Sequence, residues 1–204
     1  TESGTMMVKD INGVGAQSDV AYLTAVGNTL YFSANDRTNG NELWKSDGTE
    51  NGTVMVKDIY PGDQNRDGNP EYLTAAGNTL FFSASSGTNR DELWKSDGTE
   101  AGTVLVKYFE DDLGRLTAFG TTVYFSADDS SPYGPEMWKS DGTTSGTTIV
   151  QDICPGGNGN GAQQITPIGN TIFFKATNCG SGSAGYELWA LDPANITFLD
   201  GTHW

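Results

Sequence analysis

The hydrophobic positions of this chain fall in short runs, four to eight residues long, with no sustained helical period. The runs are rich in β-branched and aromatic residues and are bounded by Gly, Asn or Asp, which marks them as strands separated by turns. In residues 28–34 (NTLYFSA), alternation puts Leu30 and Phe32 on one face and Tyr31 and Ser33 on the other.

The runs also repeat. ELWKSDGTE fills 42–50 and again 92–100, and returns as EMWKSDGT at 136 and ELWALD at 187. Three further segments travel with it. YLTA at 22 and 72 becomes RLTA at 115 and QITP at 164. GNTLYFSA at 27 returns at 77, 120 and 169 with small changes. GTVMVKDI at 52 returns at 102 and 146, and a copy, GTMMVKDI, stands first at 4–11. In chain order these are strands A (YLTA), B (NTLYFSA), C (ELWKS) and D (TVMVKD). A and B join through Gly-Asn and C and D through Asp-Gly, both tight-turn signals that favour φ > 0. Four antiparallel strands in about fifty residues make one propeller blade. The expected fold is therefore all-β: a four-bladed β-propeller of four-stranded antiparallel blades, one domain over 1–204, with blades near 20–59, 70–109, 114–153 and 163–200.

The first copy of strand D, at 4–11, precedes any strand A and has no blade of its own. It is expected to complete the last blade and close the ring, hiding an edge that would otherwise invite aggregation. Residues 195–199 (NITFL) are a rival for that place. With them as the last strand, the chain becomes a fragment of a larger propeller or half of an eight-bladed dimer.

Trp44, Trp94, Trp138 and Trp189 recur once per blade on strand C, where blade-to-blade packing calls for a large side chain. The repeated letters thus read as a joint rather than a site. The Asp-Gly-Thr turn resembles the Asp-box turn of sialidase propellers, a hairpin device without catalytic groups. On the ELWKSDGT copies, nearly the whole chain resembles the ELWxxDGT-repeat proteins. The last copy departs from the motif, with Ala190-Leu191-Asp192-Pro193 in place of Lys-Ser-Asp-Gly. The resemblance implies tandem repeats and an exported setting, secreted or at the cell surface, and carries no activity with it.

Strand direction alternates, so the A–B and C–D turns share one face, nearly identical in every copy. The B–C and D–A loops share the other face, and they differ. A uniform face and a diverse one put function on the diverse face. Cys154 and Cys179 both fall there, near the same blade, and are expected to form a disulfide, worth roughly 3 kcal/mol by loop-closure entropy and suited to an oxidising compartment.

The sharpest chemical signal is DQNRDG at 63–68. Asp63, Asn65 and Asp67 alternate, Gly68 follows, and Asn69 and Glu71 continue the register; alternating oxygen ligands around a tight turn suit calcium. Thr74 stands where an EF-hand has its bidentate Glu. The loop is more similar to the cation loops of integrin α-chain propellers.

Composition narrows the function classes. A formal charge of −15 repels phosphate backbones and anionic membrane leaflets, so nucleic acid is excluded and cations are favoured. Hydrophobic content of 36% and 27 glycines fit a turn-rich β protein, and no apolar run reaches membrane-spanning length. The chain starts with Thr, as after removal of a signal peptide or a tag. Asn51 and Asn195 head glycosylation sequons. His203 is the only histidine, so neither a Ser–His–Asp apparatus nor a His-ligated zinc site is supported. The reading is a secreted, calcium-binding, non-catalytic module, monomeric or homodimeric. It binds glycans, with Tyr60, Tyr133 and Tyr186 as stacking candidates. A matrix scaffold that binds extracellular proteins is the alternative, and a glycan-processing enzyme ranks third.

Overall fold

The structure is a computed structural model, and it describes residues 4–13, 15–62, 66–88, 90–110, 113–129, 134–153, 161–177 and 185–195. Fifteen strands are described, grouped by antiparallel pairing into four sheets. Blade 1 holds β1 (Ala21–Val26), β2 (Thr29–Asn35), β3 (Asn41–Ser46) and β4 (Val54–Lys57). Blade 2 holds β5 (Glu71–Ala76), β6 (Thr79–Ala84), β7 (Asp91–Ser96) and β8 (Val104–Phe109). Blade 3 holds β9 (Thr117–Phe119), β10 (Thr122–Ala127), β11 (Glu136–Ser140) and β12 (Thr148–Gln151). Blade 4 holds β13 (Gln163–Ile168), β14 (Thr171–Thr177) and β15 (Tyr186–Leu191), with no described fourth strand. Each sheet follows the A-B-C-D order that the repeats imply.

The blades stack as propeller blades. Their first strands pack in succession, β1 on β5, β5 on β9 and β9 on β13. A hydroxyl rung crosses each junction: Thr24 Oγ1 donates to Leu73 O at 2.9 Å, Thr74 Oγ1 to Leu116 O at 3.2 Å and Thr117 Oγ1 to Ile165 O at 3.3 Å. In blades 1 to 3, strand B is buried on both faces. Tyr31 is as buried as Phe32, and Phe81, Phe82, Tyr124 and Phe125 follow the same rule. Strand C turns Leu43, Leu93 and Met137 toward the next blade and its tryptophan toward the previous one. Trp94 thus joins Leu43, Val56 and Ile59 of blade 1, and Trp138 joins Leu93, Val106 and Phe109 of blade 2. Trp189 lies in the cluster with Met137 and Ile153 of blade 3, and Trp44 packs with Phe32, Ala34 and Ile11.

The repeated C–D turn is held by its own side chains. Asp47 Oδ1 accepts from Thr49 N and Oγ1, Thr53 Oγ1 donates to Thr49 O, and Ser46 and Thr53 share a buried hydroxyl hydrogen bond of 2.7 Å. The same bonds recur at Asp97 and Asp141. The turn of one blade also docks on strand B of the blade before. Lys45 Nζ reaches Gly98 O at 2.7 Å, and a Cβ on Gly98 would fall on the Tyr31 hydroxyl. Gly48 has the same backbone, with φ near +90° at both, but open space around it. Gly98→Ala is therefore expected to cost about 1–3 kcal/mol more than Gly48→Ala, the usual penalty for overpacking. Urea midpoints of the two variants measure the difference.

The N-terminal segment departs from expectation. No residue of 4–13 is in a strand, and among the described residues nothing pairs with the outer edge of β15, so the expected closure of blade 4 by residues 4–11 is not formed. The segment lies instead beside blade 1. Lys9 Nζ donates to Thr53 O at 2.8 Å, and Ile11 packs on the Trp44 cluster. Strand pairing needs a partner edge within reach, and among the described strands blade 1 packs on blade 2, with no comparable packing against blade 4. Of the rival closing strand, 195–199, only Asn195 is described, at the end of a 3-10 turn over Pro193–Asn195, and the rest lies outside the described residues.

Candidate functional site

The sequence candidates separate once placed. Asp63, Asn65, Tyr133, Cys154 and Cys179 lie outside the described residues. In the 63–71 loop, Asp67 Oδ1 accepts from Asn41 N at 2.7 Å and Asn69 Oδ1 from Asn41 Nδ2 at 3.2 Å, so both pin the loop to the start of β3. Glu71 opens β5 and interacts with the Tyr22 hydroxyl across the junction. Among the described residues, no three His, Cys, Asp or Glu side chains gather as a metal-holding group. The described half of the loop is thus committed to holding β3 and the blade junction. Tyr60 is covered by the Arg66 guanidinium, 5.2 Å from its ring centre, and by Gly87. Tyr186 lines a cleft.

That cleft lies between blades 3 and 4 and measures about 710 Å³. Arg115, Gln163, Gln164, Ser126 and Tyr186 line it. Gln163 Nε2 donates to the Tyr186 hydroxyl at 3.2 Å, and Lys175 Nζ lies 3.8 Å from the centre of the Tyr186 ring. A smaller cleft of about 270 Å³ shares Arg115 and continues past Tyr72 to Tyr22. Desolvation pushes the Tyr22 phenol up first, the Glu71 carboxylate adds to it, and the Arg115 guanidinium opposes both.

These residues share one structural position. Tyr22, Tyr72, Arg115 and Gln164 each stand second in their strand A segment (AYLTA, EYLTA, GRLTA, QQITP). Strand A begins with a bulge in blades 1, 2 and 4, where the register slips between Ala21 and Thr24, Glu71 and Thr74, and Gln163 and Thr166. The bulged residue takes φ of 55° at Tyr22, 53° at Tyr72 and 53° at Gln164. A left-handed conformation costs a non-glycine residue about 1–2 kcal/mol. It re-aims the side chain out of the pleat, as bulges beside functional sites do. Two aromatic rings, a guanidinium and an amide thus gather along the innermost strands at the diverse face. Tyr22 and Tyr72 meet edge to face at 6.0 Å. The sequence carried only a weak signal for this, since the first two positions of strand A vary where the next two nearly repeat, and the bulge that aims the second leaves no mark in the letters.

The first residue of each ELW motif is a second feature that the sequence reading passed over. Glu42, Glu92 and Glu136 are buried. Glu42 accepts from Ile59 N at 2.7 Å and Gly68 N at 2.8 Å, holding the end of strand D and the D–A loop. Glu92 accepts from Ser86, Thr88 and the Trp94 indole. Glu136 accepts from Ile153 N at 2.9 Å and has the Asp152 carboxyl beside it, while among the described residues its Oε1 takes no bond of good geometry. Burial pushes Glu42 and Glu136 up to about 7, against these amides and with the help of Asp58 and Asp152 respectively. A carboxyl in this pKa range suits general acid catalysis. Both groups, however, lie beneath the surface with backbone amides on their oxygens, which is a loop-holding geometry.

No family model matches the chain, and no curated protein does. Solved structures do. Oligopeptidase B from Leishmania major is 12% identical over 91% of this chain and 26% of its own, with a TM-score of 0.50. TolB from Acinetobacter baumannii is 15% identical over 82% and 39%, with a TM-score of 0.44. A GH43 β-1,3-galactosidase is 14% identical over 78% and 40%, with a TM-score of 0.41. The chain spans between about a quarter and two fifths of the length of these structures. At such identities the likeness concerns the fold alone: this chain is an all-β array of propeller blades.

Proposed function

We propose that this chain is a non-catalytic binding module of the extracellular space that takes neutral glycans at the blade 3–4 cleft. The observation that carries the reading is the placement of Arg115, Gln163, Gln164 and Tyr186 around one open cleft, with Tyr72 and Tyr22 continuing from it. Planar amide and guanidinium donors match the paired hydroxyls of a sugar ring, and an aromatic ring supplies a face for its C–H groups. The charge of −15 works against anionic polysaccharides. Burial of Glu42 and Glu136 supports a role without catalysis.

A glycan array probed in millimolar calcium and again in chelator tests the proposal. Binding of neutral glycans is expected in both conditions, because no residue that lines the blade 3–4 cleft falls within 63–71. Arg115→Ala and Tyr186→Ala are expected to weaken it at least tenfold, about 1.4 kcal/mol or more. Loss in chelator alone would move the site to the 63–71 loop and favour a calcium-dependent lectin. No glycan retained in either condition would favour the protein-binding scaffold.

A further inference from the structure

The two ends of the described blade array each expose one half of the junction that repeats inside it. At the blade 4 end, Leu188 is 77% exposed, whereas its counterparts Leu43, Leu93 and Met137 are fully buried. Ile168 is also exposed, and Phe173 is only partly buried where Tyr31, Phe81 and Tyr124 are buried. Thr166 Oγ1 bonds within its own strand to Gln164 O, whereas Thr24, Thr74 and Thr117 reach the next blade.

At the blade 1 end, Leu23 is 62% exposed where Leu73 and Leu116 are buried, and Gly48 lies open where Gly98 meets Tyr31. The N-terminal segment sits at this end in the place of a preceding blade's strand D. Lys9 Nζ reaches Glu50 O as Lys57 Nζ reaches Glu100 O, both at 3.5 Å. Ile11 packs toward Trp44 as Ile59 does toward Trp94 and Phe109 toward Trp138. The segment has no strand C beside it, and Val8 is 40% exposed where Val56 is 6%.

We propose that the missing half is a second copy of this chain. Blade 1 of one copy packs on blade 4 of the other, and residues 4–11 become the fourth strand of that blade against the edge of β15 that no described residue pairs with. The contacts are those the molecule already makes two or three times within itself. Leu188 is covered by Val8, Thr166 meets Leu23 O, Phe173 meets Gly48, and Glu187 receives Ile11 N–H as Glu42 receives Ile59 and Glu136 receives Ile153. A second copy brings both faces by construction. Two such junctions about a two-fold axis close a ring of eight blades, which removes every open edge.

Light scattering on a size-exclusion column tests this with the 204-residue chain at 0.15 M salt or above, where repulsion between two copies of charge −15 is screened. The wild type is expected at twice the chain mass. Leu188→Asp and Val8→Asp are each expected at the single-chain mass, with circular dichroism unchanged, because both positions are exposed in the single chain. An equimolar mixture of the two variants is expected to regain dimers, since each still offers the half the other lacks. A wild type at the single-chain mass would overturn the proposal, as would an assembly larger than two copies or a mixture of variants that stays monomeric.

Discussion

Phe125→Ala is expected to lower the unfolding free energy by about 3–5 kcal/mol, the cost of emptying a fully buried phenylalanine site. Phe125 sits on β10 of blade 3 and faces blade 2. Phe109, the last residue of β8, meets it edge to face at 5.5 Å and meets Trp138 at 5.1 Å. Around this triad pack Phe81, Leu93 and Val106 from blade 2 and Val123 and Ala127 from blade 3. The removed ring therefore leaves a cavity between two blades, where neither sheet can collapse without shifting the other. The urea midpoint should fall while the slope of the transition is unchanged, since the surface exposed on unfolding stays nearly the same. Phe32→Ala supplies the comparison. Phe32 is buried too, but its cluster at the blade 1 end holds only Ala34 and Trp44, with Ile11, Leu30 and Met55 partly buried around them. That site can relax toward the open end of the array, so its loss should lie near the bottom of the same range. Equal losses at both positions would mean that the end of the array is as tightly packed as its middle.

Much of this fold is local and therefore legible. Alternation gives the strands, Gly-Asn and Asp-Gly give the turns, and fifty-residue repetition gives the number of sheets. The turn bonds of Asp47, Asp97 and Asp141 span two residues each, within reach of a reading by eye. What the letters hide is relational. Residues 4–11 carry the strand D pattern in full, yet they pair only if a strand C edge comes within reach, and that depends on how far the blades turn about their axis. Glu42 reads as one letter of a joint because its partners lie 17 and 26 residues further on. At the cleft, Tyr186 was recognisable as a loop-flanking aromatic, whereas Arg115 and Gln164 count only because strand A lies innermost and, at Gln164, is bulged. Tyr60 shows the converse: an aromatic on the diverse face, spent on packing against Arg66.

The buried glutamates make stability fall as pH rises through the range just below neutrality. The ordinary value for a Glu is 4.5, and both Glu42 and Glu136 are pushed up to about 7, first by burial. Below pH 4.5 these carboxyls are protonated in the folded and unfolded chains alike, and neither costs anything. Between 4.5 and 7 the unfolded chain releases the protons that the folded chain keeps, so the folded state loses ground with every unit. Above 7 the loss is complete, on the order of 3 kcal/mol for each group. The turn aspartates act elsewhere on the scale. Hydrogen bonds from Thr49, Thr99 and Thr143 hold Asp47, Asp97 and Asp141 below their ordinary 3.8, so the stability they add is lost only as pH falls below that value. Glu136→Gln isolates one buried carboxyl. Its amide oxygen can keep the bond from Ile153 N, and its NH₂ takes the place of Oε1 beside the Asp152 carboxyl, to which it can donate. At pH 8 the variant should be more stable than the wild type by about 1–3 kcal/mol, and at pH 5 the two should differ by less than about 0.5 kcal/mol. Urea unfolding at both pH values reads the difference. Destabilisation of equal size at both would mean that the shape of the carboxyl, rather than its charge, is what the site requires. Glu42→Gln sharpens the comparison. Both oxygens of Glu42 accept backbone amides, so one N–H would be left facing an NH₂, and this variant should lose stability at pH 5.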